Sequence, residues 1–272
     1  MIQAVPAASI AAMAVNAIIV TLIPIVAFIY INKKTNCKQN SVLVGAGTFV
    51  VFALVLETIL HQIVFRIFGE KLTGNIWLYA LYGGLAAALF EETGRLITMK
   101  LFMKKSLTKQ NALMFGVGHG GAEALLVGVM GGFSNIVMSI MININQVDKL
   151  LATAGEGEKD AAVEQLSALS TTPAYEYLLA GAERFLAFVL QICLSYIVYR
   201  AVRYKKPLFY ILAVAIHFAV DAVLAVLVKI IPVFAVELIL TAEVILITVI
   251  TYKMYRTEKE EQECQAALNT SE

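Results

Sequence analysis

Long apolar stretches separated by short polar segments dominate the chain. Seven blocks stand out: Ser9 to Ile31, Ser41 to Phe68, Ile76 to Met103, Asn111 to Met141, Tyr175 to Val202, Pro207 to Ile230 and Pro232 to Tyr255. A spanning helix needs roughly 20 mostly apolar residues to cross about 30 Å of hydrocarbon, and the blocks meet that requirement. None alternates apolar and polar residues over about 10 positions as a membrane β-strand does. Backbone groups in hydrocarbon must be satisfied within the segment, so the blocks predict helices. The expected fold class is all-α, a polytopic transmembrane helical bundle of about seven spans. The first block has no positively charged leader and is too long for a cleaved signal, so it reads as a retained span. The expected organisation is a single transmembrane helical domain over 1–256 and a charged, frayed cytoplasmic tail over 257–272.

Composition supports a membrane chain. Of 272 residues, 60% are hydrophobic and 15% charged, against about 25% charged in soluble domains. The net charge is +1 with no basic tract, so no nucleic-acid partner is expected. Cys37, Cys193 and Cys264 are scattered and give no disulfide framework or metal-ligand spacing.

Basic residues set the orientation through the positive-inside bias. Lys33, Lys34, Lys38, Lys100, Lys104, Lys105, Lys109, Arg200, Arg203, Lys205, Lys206, Lys253, Arg256 and Lys259 flank every second connection; Arg66, Lys71, Lys149, Lys159 and Lys229 fall on the other side. This 14-to-5 division places the N-terminus outside and the C-terminus in the cytoplasm of a multi-pass protein of the cell membrane. The longest connection, about Ile144 to Ala174, carries Asp148, Glu156, Glu158, Asp160 and Glu164. Its stretch Asp160 to Leu169 suits a surface helix.

The fourth block is rich in glycine from Phe115 to Ala124, and Gly116 with Gly120, and Gly128 with Gly132, stand at small-xxx-small spacing, which lets helix backbones approach closely. As a helix, the block would be about 46 Å long, so it must tilt, kink or break. Tight packing and a glycine-lined approach path for an extended substrate are both open readings.

Ionisable side chains inside a span are costly and usually face the bundle interior. Depth sorts them. Glu91 lies nine residues before Lys100, His119 ten after Lys109 and His217 eleven after Lys206. All three therefore sit roughly 14–17 Å from the cytoplasmic boundary. Glu91 is i,i+4 and Glu92 i,i+3 to Arg95, so both can meet the guanidinium. On a helix, adjacent carboxylates point about 100° apart. One can pair with Arg95 while the other faces a cavity as a general base or acid; the bland reading is a structural ion-pair node. His119 with Glu123, and His217 with Asp221, are further i,i+4 pairs. Glu57 with His61, Glu183 with Arg184, and Glu237 with Glu243 read as supporting groups.

Glu91-Glu92-x-x-Arg95, Phe115-x-x-x-His119 and His217-x-x-x-Asp221 resemble the three motifs of the CAAX-prenyl-protease and bacteriocin-processing superfamily. The Gly116-x-Gly118-His119-Gly120-Gly121-x-Glu123-Ala124 stretch and the overall size resemble, more closely, the bacterial YhfC-type membrane peptidases, relatives of the PrsW proteases and of the APH-1 subunit of gamma-secretase. The resemblance covers about Glu91 to Asp221. Two departures stand out. Two residues separate the glutamate pair from Arg95, as in the PrsW spacing, where the CAAX type usually has three. Asp221 replaces a frequent asparagine, and an ionised aspartate cannot donate to an oxyanion, so it must be protonated or must orient His217.

The resemblance implies peptide-bond hydrolysis within the membrane, on a membrane-associated peptide or protein, with the lipid bilayer as surroundings. It implies Glu91, Glu92, Arg95, His119, His217 and Asp221 as the catalytic set, with Phe115 and Glu123 supporting. Glu91 would activate a water, Glu92 with Arg95 would tune it, and His119 and His217 would position the water or stabilise the oxyanion. A metal-free glutamic peptidase is favoured. A divalent metal such as zinc on Glu91, His119 and His217 is the other design. A proton-coupled transporter and a non-catalytic, APH-1-like scaffold are the competing functions.

Overall fold

The computed structural model describes residues 2–35, 37–152, 155 and 159–269, with side chains through Glu258. Its regular elements are helices: α1 (Ala7–Lys34), α2 (Asn40–Phe49), α3 (Thr58–Thr73), α4 (Ile76–Leu101), α5 (Lys109–Glu123), α6 (Met130–Asn143), α7 (Val147–Leu151), α8 (Lys159–Thr171), α9 (Ala174–Arg203), α10 (Pro207–Leu227) and α11 (Val233–Asn269). A π-helical stretch, Val50–Glu57, joins α2 to α3, and another, Ala124–Val129, joins α5 to α6. The all-α expectation holds.

Among the described residues, six helices are long and apolar enough to cross a bilayer: Ala7–Lys34, Asn40–Thr73, Lys109–Asn143, Ala174–Arg203, Pro207–Leu227 and Val233–Glu258. The sequence reading expected about seven. The difference is α4, which is 26 residues long but lacks the long, uninterrupted apolar stretch of the other six. Gly83, Gly84, Glu91, Glu92 and Arg95 all fall within it and dilute its hydrophobic content.

The chain divides into two compact units. One comprises Met1–Val26 and Glu123–Phe185. Val5, Met13, Ile142, Leu166 and Leu169 form its buried core. Asn143 ties its N-terminal strand of chain to α6: the side-chain oxygen accepts from Val5 N at 2.7 Å, and the side-chain nitrogen donates to Val5 O at 2.9 Å. The surface helix expected over Asp160 to Leu169 is α8, although its Leu166 and Leu169 are buried. Glu156 and Glu158 of the acidic connection lie outside the described residues.

The second unit comprises Ala27–Ala122 and Leu186–Glu272. Its core joins Met99 and Met103, Ala112 and Phe115 of α5, Leu194, Tyr196, Ile197 and Tyr199 of α9, Ala213 and Val220 of α10, and Leu240, Val244 and Ile247 of α11. Local chemistry sets the ends of its helices. The Asn75 side chain accepts from the backbone N–H groups of Trp77 and Leu78, satisfying two orphan donors at the start of α4. Pro207 opens α10, where its missing N–H costs nothing. α10 packs along α4, and Thr93 and Tyr210 hydroxyls meet at 2.8 Å across that seam. α11 continues as helix beyond Thr257 to Asn269.

The glycines of α5 serve close packing. A Cβ on Gly118 would collide with the Val42 carbonyl, and one on Gly45 with the Phe115 carbonyl, so α2 and α5 touch backbone to backbone. A Cβ on Gly116 would lie 2.7 Å from Ile192 Cα, and one on Gly120 would lie 2.9 Å from Gln191 Cβ. The packing reading therefore describes Gly116, Gly118 and Gly120. Gly132 faces open space, so it makes no small-residue contact with Gly128's surroundings. The fourth block, expected to tilt, kink or break, runs as one continuous helix over Lys109–Asn143 with a π-helical stretch at Ala124–Val129.

Candidate functional site

Glu91, Glu92 and Arg95 all lie on α4, and each is buried. A buried charge is tolerated only when paired and hydrogen-bonded, and Arg95 meets that condition. Its guanidinium donates to Glu92 Oε1, to Gln191 Oε1 and, at 3.3 Å, to Glu91 Oε2. The i,i+3 and i,i+4 spacings thus act together, as the sequence predicts.

Each carboxylate also receives a histidine. His119 Nε2 of α5 donates to Glu91 Oε2 at 2.9 Å. His217 Nδ1 of α10 donates to Glu92 Oε1 at 2.8 Å, and its Nε2 lies 3.4 Å from Asp221 Oδ2. Gln191 of α9 completes the cluster, donating from Nε2 to Glu91 Oε2 at 3.1 Å. Four helices of the second unit therefore meet around one guanidinium.

The two glutamates differ in a way that bears on chemistry. All three donors to Glu91 converge on Oε2. Its other oxygen, Oε1, takes no hydrogen bond among the described residues and is not among the buried orphan atoms. The Glu91 side chain keeps 9% of its surface exposed, whereas Glu92 and Arg95 keep none. Glu91 is the carboxylate with an open face. Glu92 Oε2, Arg95 Nε and His119 Nδ1 are buried with no hydrogen-bond partner among the described residues.

Aromatic rings hold His119. Phe115 stacks on it at 6.3 Å between centroids with planes 26° apart, and Phe49 meets it edge-on at 5.4 Å. Asp221 is half-buried, and its Oδ2 lies 3.4 Å from the outer nitrogen of His217. Glu123 belongs to the other unit, where Arg184 donates to it at 3.4 Å. Glu57 and His61 form a separate group with Tyr82: His61 Nδ1 lies 2.8 Å from the Tyr82 hydroxyl, and Nε2 3.1 Å from Glu57.

Sequence reasoning missed Gln191 and Phe49. Gln191 lies nine residues before Arg200, the same depth as Glu91, but a search confined to ionisable groups passes over it. Phe49 carried no signal among many apolar neighbours.

The alternative design puts a divalent metal on Glu91, His119 and His217. Among the described residues, no three of His, Cys, Asp and Glu group so as to hold one metal ion. His119 points its Nε2 at Glu91, but His217 turns to Glu92 and Asp221. The Arg95 guanidinium already supplies the cation between the two carboxylates. In this arrangement the donor set does not fit a metal ion.

No solved structure matches the chain. A membrane protein of Bacillus subtilis (strain 168), described as uncharacterized membrane protein YhfC, is 36% identical over 217 residues, covering 78% of this chain and 83% of the relative. The family described as YhfC intramembrane metalloprotease matches residues 19–246, a stretch that contains every member of the cluster. The chain belongs to the YhfC family and is a multi-pass membrane protein.

Proposed function

We propose that this protein is an intramembrane endopeptidase in which Glu91 activates a water for attack on a peptide bond of a membrane-associated peptide or protein. The observation that carries this reading is the asymmetry of Glu91: Oε2 is held by His119, Gln191 and Arg95, and Oε1 is left open. The family description, an intramembrane metalloprotease, agrees with the reaction class. The residue arrangement supports a water-and-glutamate route, and no step here runs through a metal.

In this reaction the water oxygen bonds to the substrate carbonyl carbon and its proton passes to Glu91 Oε1. The resulting oxyanion needs N–H donors in a site that excludes bulk water, where such donors act most strongly. The Nε2–H of His217 is the candidate, since it lies 3.4 Å from the half-buried Asp221, whereas the His119 proton is already committed to Glu91. The C–N bond then breaks, and Glu91 returns the proton to the leaving nitrogen. Glu92 and Arg95 hold the cluster together, Asp221 orients His217, and Phe115 fixes the His119 ring.

α4 crosses the bilayer as a seventh span in this reading, shielded by α10 along its length. The 14-to-5 division of basic residues then places the N-terminus outside, and the site opens toward the cytoplasmic half. Hydrolysis is tested by incubating the purified full chain with single-span peptides in phosphatidylethanolamine–phosphatidylglycerol vesicles in water enriched in oxygen-18. One heavy oxygen in each newly formed carboxyl terminus is expected. Intact peptides after prolonged incubation would contradict the reading.

A further inference from the structure

Resting on the peptidase reading above, we infer that Gln191 is a positioning residue that fixes which oxygen of Glu91 faces the water. Its amide is read at both ends. Nε2 donates to Glu91 Oε2 at 3.1 Å, and Oε1 accepts from Arg95. Reversing the amide would set a donor against the guanidinium and an acceptor against the carboxylate, so the two partners dictate a single orientation. With Nε2 in place, Oε2 is committed and Oε1 is the oxygen left to meet a water.

The backbone around Gln191 holds the amide in place. Gly120 has no side chain where a Cβ would come within 2.9 Å of Gln191 Cβ. Glycine at 120 therefore gives α9 the room to press Gln191 against α5. One turn further on, the Ser195 hydroxyl donates to the Gln191 carbonyl at 2.8 Å. Gln191 is buried, which makes its hydrogen bonds strong and their loss costly. A glutamine that merely filled space between apolar helices would need neither the glycine opposite it nor two oppositely polar partners.

The test uses the full chain in vesicles of phosphatidylethanolamine and phosphatidylglycerol, with a quenched fluorescent single-span peptide as probe. Gln191→Leu keeps the volume and removes both hydrogen bonds. Its kcat should fall roughly a hundredfold, the size of effect expected when a reacting group is misplaced by about 1 Å, while KM stays near the wild-type value. Gln191→Glu supplies a further arm. A protonated carboxyl reproduces the donor and the acceptor, and an ionised one does not, so the activity of this variant relative to wild type should rise as pH falls. Thermal unfolding of each variant reports the folded fraction. The inference is overturned if Gln191→Leu retains wild-type kcat, or if its loss only tracks the folded fraction and Gln191→Glu shows no recovery at low pH. Equal cleavage by wild type and Glu91→Gln would instead remove the peptidase reading on which the inference rests. Full activity in Gln191→Leu beside a dead Glu91→Gln would remove this inference alone.

Discussion

His119 Nε2 donates to Glu91 Oε2 at 2.9 Å, joining two helices whose partners are 28 residues apart. A carboxylate only accepts, so this contact fixes Nε2 as the protonated nitrogen. Nδ1 is then left buried with no partner among the described residues. Replacing the ring by leucine removes one of three donors to Glu91. His119→Leu should lose activity and about 1–3 kcal/mol of stability, the usual cost of stranding a buried polar group. Cleavage assays with denaturant or thermal unfolding in detergent check both.

Arg95 carries the larger structural burden. It is fully buried and donates to Glu91, Glu92 and Gln191. Removing one partner of a buried ion pair costs about 3–5 kcal/mol, because the remaining charges lose their compensation. Arg95→Leu should therefore unfold or fail to accumulate. Arg95→Lys should not restore it, since an ammonium cannot reach three acceptors with the planar fork of a guanidinium. Accumulation in membranes and the unfolding midpoint of the purified variants measure this.

Helix packing gives a paired prediction. Gly118→Val would drive a side chain into the Val42 carbonyl, where backbone cannot yield cheaply, whereas Gly132→Ala meets nothing within 4 Å. The first should lower stability by about 1–3 kcal/mol, as expected for overpacking. The second should leave it unchanged. Comparison of their unfolding midpoints decides the point.

At the far end of the second unit, Glu258 accepts from the Tyr196 hydroxyl at 2.5 Å and the Tyr199 hydroxyl at 2.7 Å. These bonds pin α11 to α9, and Glu258 is buried. Glu258→Ala strands two hydroxyls and should cost about 1–3 kcal/mol, with faster proteolysis in the α11 end. Because the pair lies away from Glu91, kcat per folded molecule should be unaffected.

Much of this site can be read from sequence because a bilayer makes ionisable residues conspicuous. Counting turns from flanking lysines brings Glu91, His119 and His217 to one depth, and α4 spacing alone pairs Glu91 and Glu92 with Arg95. Depth says nothing of helix rotation about its axis. That rotation turns His217 to Glu92 and leaves His119 with Glu91, so the set Glu91, His119 and His217 does not converge. Glu123 illustrates the same point: one turn from His119 in sequence, it is placed in the other compact unit, where Arg184 reaches it. Gln191 escaped because neutral amides are not flagged by charge, although they too can hydrogen-bond buried charged groups. The third block, Ile76 to Met103, formed its helix as α4, but Glu91, Glu92 and Arg95 within it interrupt the apolar run by which a span is recognised.

The account rests on Glu91 acting where Glu92 only supports, and comparing the two amide variants tests this most directly. Rates of peptide cleavage should be measured for purified wild type, Glu91→Gln and Glu92→Gln, each corrected for folded fraction. The account predicts that Glu91→Gln folds and loses at least about a hundredfold in kcat, the scale of general acid–base catalysis, and that Glu92→Gln is chiefly less stable. Cleavage by folded Glu91→Gln at the wild-type rate would contradict it.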